Sequence, residues 1–186
     1  VLVGLTGELV ILSHMMTDPS AALDAWTGPE RLTHDFSTGS GELEVKSTAA
    51  VDGTFISLSN LDQLDPTGLP ALHLAVVHLR EDKAGASLDE RIRSLLDAGA
   101  PRDRLLKLVE EEGYVYESGT DEGVRFSVRS VRAWRVDDGF PGLRRGEIGR
   151  RLAGVSNVRY ELALDAAPPP ISDAEKFFAQ WLEGTC

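Results

Sequence analysis

Glu44 and Lys46 stand two residues apart in the run Gly41-Glu42-Leu43-Glu44-Val45-Lys46-Ser47-Thr48. Alternation marks this run as a β-strand, with Leu43 and Val45 on one face and Glu42, Glu44 and Lys46 on the other. An acid and a lysine at this spacing therefore point the same way. A carboxylate there can hold a hard cation, and the ammonium beside it can orient a water or a phosphate oxygen. A divalent ion taken by such ligands is Mg²⁺, with Mn²⁺ as substitute, rather than Zn²⁺, because every donor offered is oxygen.

A second acid comes from the preceding segment. Thr38-Gly39-Ser40-Gly41 is turn chemistry. A hairpin turning at Gly39-Ser40, or across all four residues, sets Ser37 against Glu42 and Asp35 against Glu44, with Cβ atoms about 5 Å apart. Like charges directly opposed across a ladder destabilise it unless something positive lies between them. Lys46 relieves part of that repulsion, and a bridging divalent metal would relieve more. The plain alternative is the solvated face of an amphipathic strand. Glu81-Asp82-Lys83 has the same spacing but no opposed acid, and it is assigned no function.

The elements that must position these groups follow from period. Residues 1–16 carry an apolar stripe, Leu2, Leu5, Leu9, Leu12 and Met16, with Glu8 at its border. A short helix is expected over 19–26 and a third strand over 54–58. A short helix over 59–66 is stopped by Pro66, and a strand apolar on both faces spans 72–79. The order helix, three strands, helix, strand resembles the restriction-endonuclease-like PD-(D/E)XK nucleases, and more closely the PD-(D/E)XK proteins of bacterial defence and restriction gene clusters. The resemblance rests on Gly7-Glu8-Leu9, Trp26-Thr27-Gly28-Pro29, His34-Asp35-Phe36, Glu42 to Lys46, Leu61-Asp62-Gln63-Leu64-Asp65 and Asp138-Gly139-Phe140-Pro141, and it extends to about Leu164.

What the resemblance implies is an α/β fold with an αβββαβ core, a central mixed sheet flanked by helices, and extra C-terminal strands and a helix. It implies Asp35 and Glu44 as metal-binding acids, the Val45 carbonyl as a further ligand and Lys46 as the residue that positions the attacking water. Glu8 matches an acid of the metal's outer shell. Gln63 is similar to a glutamine of several branches, but position 67 is Thr where those have tyrosine. A capping or hydrogen-bonding role is therefore its alternative. The chain resembles the later part of longer members and opens without methionine inside a helix, which implies a preceding region.

Composition bounds the rest. The net charge of −11 argues against a protein that coats DNA indiscriminately. The charge is uneven: residues 1–90 hold 4 Lys and Arg against 14 acids, and residues 124–160 hold nine arginines against three acids. Arg125, Arg129, Arg132 and Arg135 fall in a strand region, and Arg144, Arg145, Arg150 and Arg151 in a glycine-rich loop. The guanidinium fork suits phosphate, so Arg125, Arg129, Arg132, Arg144 and Arg145 are candidates for contacting DNA; pairing with neighbouring acids is the alternative.

The organisation expected is a core over 1–84, a helical and arginine-rich extension over 85–165, and a Pro168-Pro169-Pro170 spacer with a terminal helix over 166–186. Within these, capping boxes are expected at Ser87 and Ser172, with strands over 124–136 and 155–164. There is no phosphate-binding P-loop and no nucleophile elbow. The histidines, His14, His34, His73 and His78, have no zinc spacing, and His34 is expected to point away from Asp35. The single cysteine, Cys186, leaves no intramolecular disulfide. The opening apolar run is too short for a membrane span, and the cytoplasm is the expected compartment. The sequence thus predicts a Mg²⁺-dependent DNA endonuclease subunit, oligomeric or not. A partner ATPase or methyltransferase is possible, and the alternative is a non-catalytic DNA-binding or assembly module of the same fold.

Overall fold

The computed structural model describes residues 2–30, 32–119, 123–149 and 154–184, with only the backbone of Glu147. Arg150, Arg151 and Cys186 lie outside the described residues. The central sheet has four strands in the order β1 (Phe36–Thr38), β2 (Gly41–Thr48), β4 (Leu72–Ala86), β5 (Phe126–Arg135). The β1–β2 and β4–β5 pairs are antiparallel and β2–β4 is parallel, so the sheet is mixed. Its expected place among α/β folds, a mixed sheet flanked by helices, is what the structure has.

The third strand departs from the expected layout. β3 (Phe55–Leu58) does not join the central sheet; it pairs antiparallel with β6 (Tyr160–Ala163) in a separate ribbon. Ile56 and Leu58 alternate inward and need an apolar surface, which Leu72, Leu74, Val76 and Trp134 supply from one face of the sheet. The ribbon is thus a layer laid on the sheet. β6 is also shorter than the strand expected over 155–164.

The other face carries the helices. Leu43, Val45, Ala75 and Val77 pack there against α1 (Leu2–His14), α2 (Pro19–Ala25), α3 (Leu88–Asp97), α4 (Arg102–Glu111) and the terminal α6 (Ala174–Trp181). β4 is buried on both faces from Leu72 to Val77 because each face meets a layer. Glycine decides how close α1 comes: a Cβ at Gly7 would stand 3.0 Å from the Cβ of Ser47 on β2. Ser87 and Glu90 form the expected capping box of α3. The cap of α6 is Asp173, one residue past the one expected, and accepts from the Lys176 N–H. Phe177, Phe178 and Trp181 dock that helix on the core. The remaining helix, α5 (Arg145–Ile148), is a single turn. No helix among the described residues is long and apolar enough to cross a membrane.

Candidate active site

The hairpin has the register its turn predicts: Thr38 faces Gly41, Ser37 faces Glu42 and Phe36 faces Leu43. One step further, where β1 has ended, Asp35 takes over the pairing with its side chain. Its Oδ2 accepts the Val45 N–H at 2.6 Å. A residue's N–H and C=O point to the same edge of a strand, so the Val45 carbonyl opens on that edge too. Thr27 and Gly28 both donate their N–H groups to the Asp35 carbonyl at 2.9 Å, which fixes the backbone behind the carboxylate.

Glu44 and Lys46 stand beside Leu74 and Val76 of β4 in register, on the ribbon side of the sheet. The Lys46 ammonium lies 2.7 Å from Glu44 Oε1. The other oxygen, Glu44 Oε2, is buried with no hydrogen-bond partner. Glu8 arrives from α1, on the opposite face, with Oε2 accepting from the Trp26 indole at 2.8 Å. Glu8 and Asp35 meet over Gly28: a Cβ there would stand 2.9 Å from Glu8 Oε2 and 3.4 Å from Asp35 Oδ1. Glycine is required because the carboxylates occupy the space of a side chain.

The electrostatics record a surplus of negative charge. Burial, then the nearby Asp35, push Glu44 up to about 8 against the pull of Lys46. Burial lifts Asp35 to about 6, although the Val45 N–H and Lys46 favour its charged form. Glu8 lies well above the usual carboxylate range through burial and the Asp35 charge. Sequence reasoning missed a fourth contributor. Glu112, at the end of α4, adds negative charge that raises both Glu8 and Asp35. Its one signal was the acidic end of that helix, Glu110-Glu111-Glu112, which opposes the helix dipole.

His34 also differs from expectation. Leaving the strand before Asp35, the chain turns the buried imidazole back toward the acid face, with Nδ1 3.8 Å from Glu42 Oε2. Burial lowers its pKa. Gln63 lies in the 3-10 turn Asp62–Leu64, where its Oε1 accepts the Ser59 N–H at 2.8 Å while Asn60 accepts from Asp62 and Gln63. Its carbonyl oxygen is engaged in holding the turn.

The five arginines are dispersed rather than gathered at the acids. Arg125 binds Glu90 through both carboxylate oxygens and the Gly85 carbonyl. Arg145 binds Asp62 at 2.6 and 3.1 Å. Arg144 is buried and donates to the carbonyls of Asp137 and Phe140. Arg132 lies over the Trp134 ring, 5.3 Å from its centroid. Arg129 is exposed on β5.

Among the described residues no three His, Cys, Asp or Glu side chains stand together as a ready metal cage. The donors nevertheless fit a hard ion of the Mg²⁺ kind, which takes one or two carboxylates and keeps several waters. The orphaned Glu44 oxygen and the raised carboxylates are the observations that favour it. Two acids and a lysine on β2 and its hairpin, with a helix acid nearby, are the set that the resemblance to PD-(D/E)XK nucleases implied. Residues 1–165 match the family described as "Putative PD-(D/E)XK family member, (DUF4420)", and the chain belongs to it. No curated protein and no solved structure matches the chain.

Proposed function

We propose that the protein is a metal-dependent DNA endonuclease, a subunit of a bacterial restriction or phage-defence system. The observation that carries the reading is the buried Glu44 carboxylate, one oxygen held by Lys46 and the other unpartnered, at the hairpin position that continues the register to Asp35. A group folded in that state is built for a ligand the chain itself does not supply.

In this reading Asp35 Oδ1, Glu44 Oε2 and the Val45 carbonyl hold Mg²⁺ or Mn²⁺. When bound, the ion supplies positive charge to the phosphodiester and makes water a better nucleophile. Lys46, anchored on Glu44, holds the attacking water or a phosphate oxygen in line and stabilises the charge that develops there. Trp26 holds Glu8, whose carboxyl takes up a proton readily and buffers the charge behind Asp35.

The test is cleavage of supercoiled plasmid with Mg²⁺ or Mn²⁺, comparing the wild type, Lys46→Ala and an EDTA control. Nicking or linearisation that both controls abolish supports the nuclease. DNA binding without cleavage, unchanged by Asp35→Ala, would favour instead a non-catalytic module that docks a partner ATPase or methyltransferase.

A further inference from the structure

Beside Lys46 a cleft of about 390 Å³ opens between β2 and the outer face of the β3–β6 ribbon, lined also by Ser57, Ser59, Arg159, Tyr160 and Glu161. It is the side on which Glu44 and Lys46 project. Continuing the ribbon pairing one step past Leu58 and Tyr160 sets Arg159 across from Ser59. Arg159 is exposed and makes no hydrogen bond or ion pair among the described residues, not even with Glu161 of the same cleft. Arg125 and Arg145, by contrast, are each tied to a carboxylate.

The cleft therefore presents an uncommitted guanidinium, contributed by the arginine-rich stretch of residues 124–160, and the Ser57 hydroxyl next to the Lys46 ammonium. A ligand matching that set is a phosphodiester, whose two non-bridging oxygens a guanidinium fork grips through two hydrogen bonds. A loose amine or a bare base would gain nothing from Arg159. Lys46 lines this cleft together with Arg159 and Ser57, so a backbone whose reacting phosphate sits at Glu44 and Lys46 has the cleft beside it for its neighbouring phosphate.

We propose that Arg159, with Ser57, forms a subsite for the nucleic-acid phosphate adjacent to the one attacked. The inference rests on the nuclease reading above and extends it to where the strand leaves the site. Gln63 has a place in it as a positioning residue, because its Oε1 accepts both the Ser59 N–H and the Ser59 hydroxyl and so pins the ribbon end opposite Arg159. Spacing in the sequence hid the subsite. Residues 59 and 159 are brought together only because β3 leaves the main sheet to pair with β6.

The test measures binding without chemistry. Fluorescence anisotropy of labelled duplex and single-stranded DNA is recorded in EDTA over a KCl series for the wild type, Arg159→Gln, Arg159→Lys and Lys176→Gln. Lys176 lies on α6, across the sheet, and removes the same charge far from the cleft. The subsite predicts that Arg159→Gln weakens binding about tenfold, as for a charge-assisted contact. It also predicts a slope of log K against log [salt] shallower by about 0.7–0.9. Arg159→Lys would keep the slope and lose part of the affinity, while Lys176→Gln matches the wild type. Equal affinities and slopes for Arg159→Gln and Lys176→Gln would overturn the subsite alone. No salt-dependent binding of either DNA by the wild type would sink the nucleic-acid reading itself, and the subsite with it.

Discussion

The acid edge of β2 and the arginines of the second half treat charge in opposite ways. Arg125, Arg144 and Arg145 meet carboxylates or carbonyls in fixed geometry, so their charge is answered inside the chain. Among the described residues the cation beside the acid edge is Lys46, and Glu8, Asp35 and Glu44 are each driven above their ordinary range. Buried charge without a partner is expensive. Carboxyls buried together with a single ammonium among the described residues are what the proposed metal site requires.

The contrast can be broken most directly at the acids. Lys46→Ala and Asp35→Asn are expected to slow plasmid cleavage by about 10²–10³-fold or more, with DNA affinity in EDTA retained by Asp35→Asn. An unaffected rate would remove the site from the mechanism. The next largest effect is on stability in the other region. Arg144→Ala leaves the Asp137 and Phe140 carbonyls unanswered and is expected to cost about 2–3 kcal/mol in urea melts.

The acid edge should also make stability depend on pH. Asp35 and Glu44 have ordinary values of 3.8 and 4.5 and folded values of about 6 and about 8. The folded state therefore holds protons that the unfolded state has released, and stability falls as pH rises through this window. In EDTA the Tm should drop between pH 5 and pH 8. Glu44→Gln should flatten the drop, and so should Mg²⁺ at pH 8 by occupying the wild-type site. A Tm independent of pH would mean the carboxylates are neutralised by something else.

Smaller effects sharpen the comparison. Gly28→Ala puts a methyl 2.9 Å from Glu8 Oε2, and cleavage should fall while the melting temperature moves little. Arg125→Ala and Arg145→Ala break solvent-screened ion pairs, so each should leave stability nearly unchanged. DNA affinity within twofold of wild type is the expected result for both. A tenfold loss would instead give those arginines to the phosphate backbone.

The strand that carries Glu44 and Lys46 and its hairpin were legible from sequence because the interactions that set them are local. A two-residue turn and a period of two put Asp35, Glu44 and Lys46 together before any other element is placed. The capping box of α3 and the two-sided burial of β4 are local in the same sense. Other features depended on surfaces far apart in the chain. The apolar face of β3 could have been met by a sheet edge or a sheet face, and only packing against Leu74, Val76 and Trp134 chose the face. That choice brings Arg159 to Lys46's side. The turn of His34 back to Glu42 and the approach of Glu112 to Asp35 follow from loop paths that no periodicity encodes. Nor could arginine spacing separate Arg125 and Arg145, bound to acids 35 and 83 residues away, from a free Arg159. Register and side-chain direction are consequences of the nearest few residues, whereas which charges stay unanswered is a property of the whole packed molecule.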